Sequence, residues 1–214
     1  MKLFAAFSGK ILRRGYALVF AFVFLFYIGV AALPAFLMMN DHQTAGRLIY
    51  RGFYFLCHQY PWRSWFIGGK QSYYPLLPDA EAGLLSFEEA AGIPVPGVNP
   101  RAFLGSPEMG YKMAVCQRDV GIYAAMGVFS LLFFLSRNRM PRIDWKLWLL
   151  FGVLPIGIDG GLQLLSHLIP GWAVRESTPF LRTFTGALFG IFTCWYLLPT
   201  LDRSLREGEG NDRS

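Results

Sequence analysis

From Gly15 to Met39 the chain carries no charged residue. That stretch exceeds the roughly 20 apolar residues needed to cross a hydrocarbon core. A backbone inside lipid must satisfy its own hydrogen bonds, so the stretch is restricted to a helix. Lys2, Lys10, Arg13 and Arg14 precede it. A basic start before an apolar run also describes a secretory signal, but signal cores are typically about 7–15 residues. This run is longer and no clean small-residue cleavage site follows, so it is read as a retained first span. Pro34 is expected to kink its far end.

Three further apolar runs follow, at about 119–135, 147–170 and 179–201. Composition agrees: 54% of the residues are hydrophobic, 17% aromatic and 16% charged, against about 25% charged in soluble domains. The fold class is therefore all-α, a polytopic membrane protein with four transmembrane helices. A long connection, 40–118, separates helices 1 and 2, leaving segment 1–14 at the start and a polar tail at 202–214. The net charge of +6 does not point to nucleic acid, because the basic residues cluster beside the spans. Eleven of the 20 Lys and Arg lie in the N-terminal segment, the 136–146 loop and the tail. By the positive-inside rule both termini are cytoplasmic and the 40–118 loop is extracytoplasmic, in a multi-pass protein of the cytoplasmic membrane, such as a bacterial inner membrane.

Within the long loop, Ala45 to Cys57 has amphipathic helical character and suits a membrane surface. From Gln71 to Gly110 prolines and glycines are frequent, which predicts a loop with little regular structure. Ser86 followed by Glu89 is a capping-box pattern and predicts one short helix over 86–91. Loops of this length are usually functional or disordered. Residues just before Cys116 are expected to extend the second span.

Polar residues converge on one end of this bundle. The third helix runs outward, and Asp159 lies about 18 Å along it at 1.5 Å per residue. Gln163 and His167 follow at i+4 and i+8 on the same face. The second and fourth helices run inward, so Arg118, Asp119 and Arg182 sit at their outer ends. An ionisable group within a span costs roughly 2.5–3.5 kcal/mol and normally finds a partner inside the bundle. Asp159 is accordingly either a structural partner of Arg182 or a working carboxylate facing a proton, ligand or metal. Gly186 and Gly190 beyond Arg182, and Tyr123 and Gly127 beyond Asp119, form four-residue stripes suited to close helix packing.

Two short motifs lie at that end: Cys57-His58-Gln59-Tyr60-Pro61-Trp62-Arg63-Ser64 and Cys116-Gln117-Arg118-Asp119-Val120-Gly121-Ile122-Tyr123. Outside the cytoplasm Cys57 and Cys116 could form a disulfide. Alternatively Cys57, His58, Cys116 and Asp119 are candidate metal ligands, with thiolate and imidazole favouring zinc or another transition metal. Arg63 and Arg118 offer a third chemistry, forked hydrogen bonds to an anion such as a lipid phosphate. Cys194, in an apolar run, reads as a small buried hydrophobe.

These motifs resemble the DUF2085 family of uncharacterised prokaryotic membrane proteins. The matching pieces are Cys57-His58-Gln59 with Arg63-Ser64, and Cys116-x-Arg118 with Gly121-Ile122-Tyr123. Further pieces are Leu154-Pro155-Ile156 with Asp159-Gly160 and Gln163, and Arg175-Glu176-Ser177-Thr178 with Leu181-Arg182 and Thr185-Gly186. The resemblance covers about residues 45–195. Many family members carry cysteine where Asp119 stands, so the resemblance implies a metal site on Cys57, His58, Cys116 and Asp119. It adds Arg63, Arg118, Tyr123, Asp159, Gln163, Glu176 and Arg182 as a surrounding polar site. The gap between the motifs is longer here than in most members, which suggests an inserted lid or docking loop at 71–110.

The leading expectation is an outward-facing metal-binding membrane protein whose reaction is open. The alternatives are an accessory subunit docking a protein partner through 71–110, a disulfide-stabilised lipid or anion binder, and a small transporter. The bilayer is the first partner, a homo-oligomer is kept open, and nucleic acid is excluded for want of any such motif.

Overall fold

The computed structural model describes residues 2–77, 83–173 and 175–211, without the side chains of 2–14, 167 and 208–211. The expectation for the His167 side chain thus falls outside the described residues. Among the described residues, four helices are long and apolar enough to cross a membrane: Gly15–Met39, Gln117–Leu135, Trp145–Ser166 and Pro179–Glu207. The first lies within α1 (Lys2–Met39), with α2 (Gln43–Gly52) turning back beside it. The second is α4 (Gln117–Leu135). The third comprises α5 (Trp145–Leu147), a π-helical turn at Trp148–Val153, and α6 (Leu154–Leu168). The fourth is α7 (Pro179–Asn211). Phe22, Phe26, Leu164 and Leu168 stand exposed along these spans. An unpartnered apolar belt of this kind marks a lipid-facing surface.

Helices α4 and α7 pack backbone to backbone. A Cβ added at Gly121 would sit 2.3 Å from the Thr183 carbonyl oxygen, and one at Gly186 would sit 2.4 Å from that of Arg118. The Gly186–Gly190 stripe is thus a packing surface, as its spacing suggested. The other stripe faces α1: the Tyr123 ring lies 4.4 Å from Tyr27, and Gly127 abuts the Leu25 side chain.

The long connection adds a sheet that the sequence reading did not foresee, while the described residues of 71–110 are mostly irregular around one short helix, as expected. It holds β1 (Ser64–Ile67), the short helix α3 (Phe87–Ala91), β2 (Gly105–Ser106) and β3 (Gly110–Cys116). The strands form an antiparallel sheet in the order β1-β3-β2. Ser86 and Glu89 close the expected capping box on α3. The connection also has its own core of Trp62, Phe66, Tyr74, Phe87 and Met109, so its many prolines bend an ordered chain. The expected extension of the second span before Cys116 is overturned, because those residues are strand β3. A second core of Ala31, Met38, Tyr50, Phe53, Ala114 and Val115 fastens β3 to α1 and α2. One face of α2 is buried there through Gly46 and Tyr50, and its exposed Leu48 leads to exposed Phe55 and Leu56.

Candidate functional site

The pairing of β1 with β3 joins the two cysteine motifs. Ser64, the last residue of the first motif, stands opposite Cys116, the first of the second. Between Cys57 and β1 the chain is turned by Gln59, whose φ is 56°. A left-handed residue other than glycine persists only when its surroundings hold it. Here the fully buried Gln59 side chain donates to the Tyr50 carbonyl at 2.8 Å. Its own carbonyl accepts from Lys112 Nζ at 2.7 Å.

Lys112 is the residue that pattern reading missed. It lies on β3 with no exposed surface, and Nζ also donates to the Pro100 carbonyl at 2.6 Å. Removal from water pushes its ammonium down to about 7. Lysine is rarely fully buried, so nothing local in the sequence marked it as interior.

Cys116 is the N-cap of α4 and Asp119 lies in that helix's first turn. The Cys57 Sγ, the Cys116 Sγ and an Asp119 carboxylate oxygen all lie within 4.8 Å of one another. Both thiols are free. Hydrogen bonding from the Cys116 thiol holds Cys57 below the ordinary thiol range, while donating that bond and being buried push Cys116 well above it. His58 is not in this trio. Its ring stacks on Tyr60 at 5.9 Å, although it lines the same cavity of about 180 Å³ with Cys57 and Cys116. Tyr123 packs on Tyr27 of α1 and also lies near enough to Asp119 and Cys116 to interact with both.

Beside the thiols lies an ionic network built from the 3-10 turn Pro61–Arg63, α4, α6, the segment leading into α7, and α7 itself. Asp159 accepts from Arg118 Nη2 at 2.5 Å and from Ser177 Oγ at 2.7 Å, and Arg175 Nη2 lies 3.6 Å away. Glu176 accepts from Arg63 at 2.5 and 3.3 Å, from Gln163 Nε2 at 2.5 Å, and from Arg182. Arg182 further donates to Gln117 Oε1 at 3.2 Å and to the Trp62 carbonyl at 3.4 Å. The expected Asp159–Arg182 pair is therefore not formed. Each takes a different partner, because Arg118 at the start of α4 lies against Gly160 and Glu176 reaches Arg182 six positions along the chain. Arg63, Arg118, Asp159, Gln163, Glu176 and Arg182 do come together. Ser177, Gln117 and Arg175 join them. Ser177 lay within the motif pieces quoted above, but a hydroxyl and an amide give no signal in hydropathy.

The network borders a second cavity, of about 480 Å³, which includes Tyr60, Trp62, Arg63, Arg118, Gln163 and Glu176 in its lining. The two cavities share Tyr60, Arg63, Arg118 and Gln163. Tyr60 carries the Arg63 guanidinium 5.2 Å above its ring.

With this geometry in hand, comparisons with known proteins gave two similarities. An uncharacterized protein of Methanocaldococcus jannaschii is 24% identical over 193 residues, covering 88% of this chain and 93% of its own length. No solved structure matches the chain. The family match begins at residue 108, so Cys57 and His58 lie outside it while Cys116, Asp119 and Asp159 lie inside. The resemblance read from the motifs is thereby shown: over residues 108–196 the chain matches the DUF2085 family, described as predicted membrane proteins.

Proposed function

We propose that this membrane protein holds a transition-metal ion, zinc in the first instance, on Cys57, Cys116 and Asp119, at the extracytoplasmic end of its helix bundle. The observation that carries the reading is the approach of three donor atoms to within 4.8 Å. Zinc binds thiolates at about 2.3 Å and carboxylates at about 2.0–2.2 Å, so its ligand atoms stand somewhat closer together than that limit. Small side-chain rotations bring the trio into range. His58 shares the cavity, and turning its ring off Tyr60 would supply a fourth donor. Asp119 in place of a third cysteine makes the site harder and leaves room for an exchangeable ligand. Bound there, the ion would act as a Lewis acid toward a molecule in the adjoining cavity. The outward orientation rests on the positive-inside charge bias.

The test is metal analysis of protein purified in detergent without chelators. Near-stoichiometric zinc or another transition metal is expected, lost in Cys57→Ser and in Cys116→Ser. Alkylation gives a second readout. In chelator-stripped protein Cys57 should react first with iodoacetamide, and metal should protect it. Metal-free protein with Cys57 and Cys116 joined as a disulfide would refute the reading. A second reading, an accessory subunit, is favoured by the exposed Leu77, Leu85 and Ile93 on the 71–110 insertion. Co-purifying partners lost when that insertion is deleted would support it.

A further inference from the structure

The ionic network beside the thiols is unbalanced. Among the described residues, Arg63, Arg118, Arg175 and Arg182 meet two carboxylates, Asp159 and Glu176. Asp119 belongs to the thiol cluster, where Lys112 is also close enough to interact with Cys57. Among the described residues the guanidinium groups thus outnumber the carboxylates of Asp159 and Glu176 by two; Arg63 and Arg118 border the larger cavity and Arg182 the smaller one, while Arg63, Arg118 and Arg175 keep part of their surface in solvent. The guanidinium groups also retain unused donors: Arg118 Nε, Arg175 Nη1 and Arg182 Nε are buried with no hydrogen-bond partner. Arg182 itself is only 4% exposed at its side chain. A buried donor without an acceptor is destabilising, and an anion bound beside Arg63 and Arg118 would offset part of the charge excess and supply an acceptor near the unused Arg118 Nε.

The walls indicate the kind of anion. Arg63 and Arg118 line both cavities; Arg63 spends Nε and Nη2 on Glu176 and Arg118 spends Nη2 on Asp159, and their charge and remaining N–H groups suit a phosphate or carboxylate. The cavity of about 480 Å³ lies within the roughly 300–1,000 Å³ typical of small-molecule sites. Its lining also includes apolar Leu76, Val95 and Leu164. Leu164 belongs to the exposed apolar surface of α6, so the cavity borders the lipid-facing side of the bundle. The lining thus holds groups suited to an anionic head and groups suited to hydrocarbon.

We propose that this cavity is a binding site for a phosphate-bearing ligand, its phosphate held by Arg63 and Arg118 and any attached chain lying along Leu164. The site does not depend on the metal reading.

The experiment measures thermal stabilisation of the full chain in neutral detergent. The probes are short-chain phosphatidylglycerol, inorganic phosphate and, as a zwitterionic control, short-chain phosphatidylcholine. Saturable stabilisation by phosphatidylglycerol alone identifies a membrane lipid headgroup. Equal stabilisation by inorganic phosphate identifies a free phosphate. Arg63→Gln should weaken the apparent affinity by roughly tenfold or more, as for loss of a charged hydrogen bond. Because Arg63 also pairs with Glu176, Val95→Glu serves as the second variant. It leaves both ion pairs in place, adds a negative charge at the cavity wall, and should weaken binding comparably. Absence of saturable stabilisation by either anionic probe overturns the proposal. So does equal stabilisation by phosphatidylcholine, or full stabilisation retained in both variants.

Discussion

Replacing Glu176 by glutamine removes one negative charge from beneath three donors while keeping nearly the same shape. In the native protein this carboxylate serves Arg63, Gln163 and Arg182. Its side chain is 9% exposed and that of Arg182 4%, so water cannot take over the lost charge. Breaking a buried pair by removing one partner costs about 3–5 kcal/mol, mostly the penalty of the charge left behind. Arg63, 26% exposed, adds little because solvent screens it. For a chain of this size such a loss lowers the melting temperature by on the order of 10 °C. The assay is thermal unfolding in detergent of wild type, Glu176→Gln, Arg182→Gln and the double variant. The double variant should be more stable than Glu176→Gln alone, since it no longer strands a buried guanidinium. Glu207→Gln is the internal control, because the Arg203–Glu207 pair is 72% and 65% exposed and its loss should produce no measurable shift. A loss of no more than about 1 kcal/mol for Glu176→Gln, the worth of a surface pair, would refute the reasoning.

Gly186→Ala should destabilise the bundle by about 1–3 kcal/mol, the usual cost of overpacking, because its Cβ would meet the Arg118 carbonyl oxygen at 2.4 Å. Gly157→Ala, with open space at that position, should be tolerated, and unfolding of the two variants side by side checks both. Lys112 gives a pH dependence. Its folded value is depressed to about 7 from an unfolded value near 10.4, so between those limits the unfolded chain binds more protons. Stability should therefore rise as pH increases from about 7 to 10, and this component of the rise should be absent in Lys112→Met. A difference between the two proteins that stays flat across that range would count against a buried, titrating Lys112.

Of the fold, what the chain states locally was legible. The four spans follow from runs of apolar residues with few charges, and helix is the structure that satisfies such a run in lipid. The capping box on α3 and the glycine stripe of α7 are also local signals. So was the gathering of Arg118, Asp159, Gln163 and Arg182, since antiparallel spans carry residues near their polar ends to a common level, while Arg63 and Glu176 were reached through the family resemblance. The sheet was not legible. Proline and glycine counts say that the chain turns, but not that β1 and β3 pair across nearly fifty residues. Nor do they say that Trp62, Phe66 and Phe87 supply a core beneath them.

The sequence by itself determined that this is a four-span membrane chain with two cysteine motifs at one end of the bundle. Hydropathy and charge act residue by residue against the bilayer, so they can be read without knowing any contact. The tertiary structure alone decided the partnerships. It matched Asp159 to Arg118 and Arg182 to Glu176, stacked His58 on Tyr60 outside the thiol–carboxylate trio, buried Lys112, and set Ser64 against Cys116. Such choices depend on distances of a few ångströms between segments far apart in the chain. Close helix packing at glycine and strand register fix those distances, and neither is written in any single stretch.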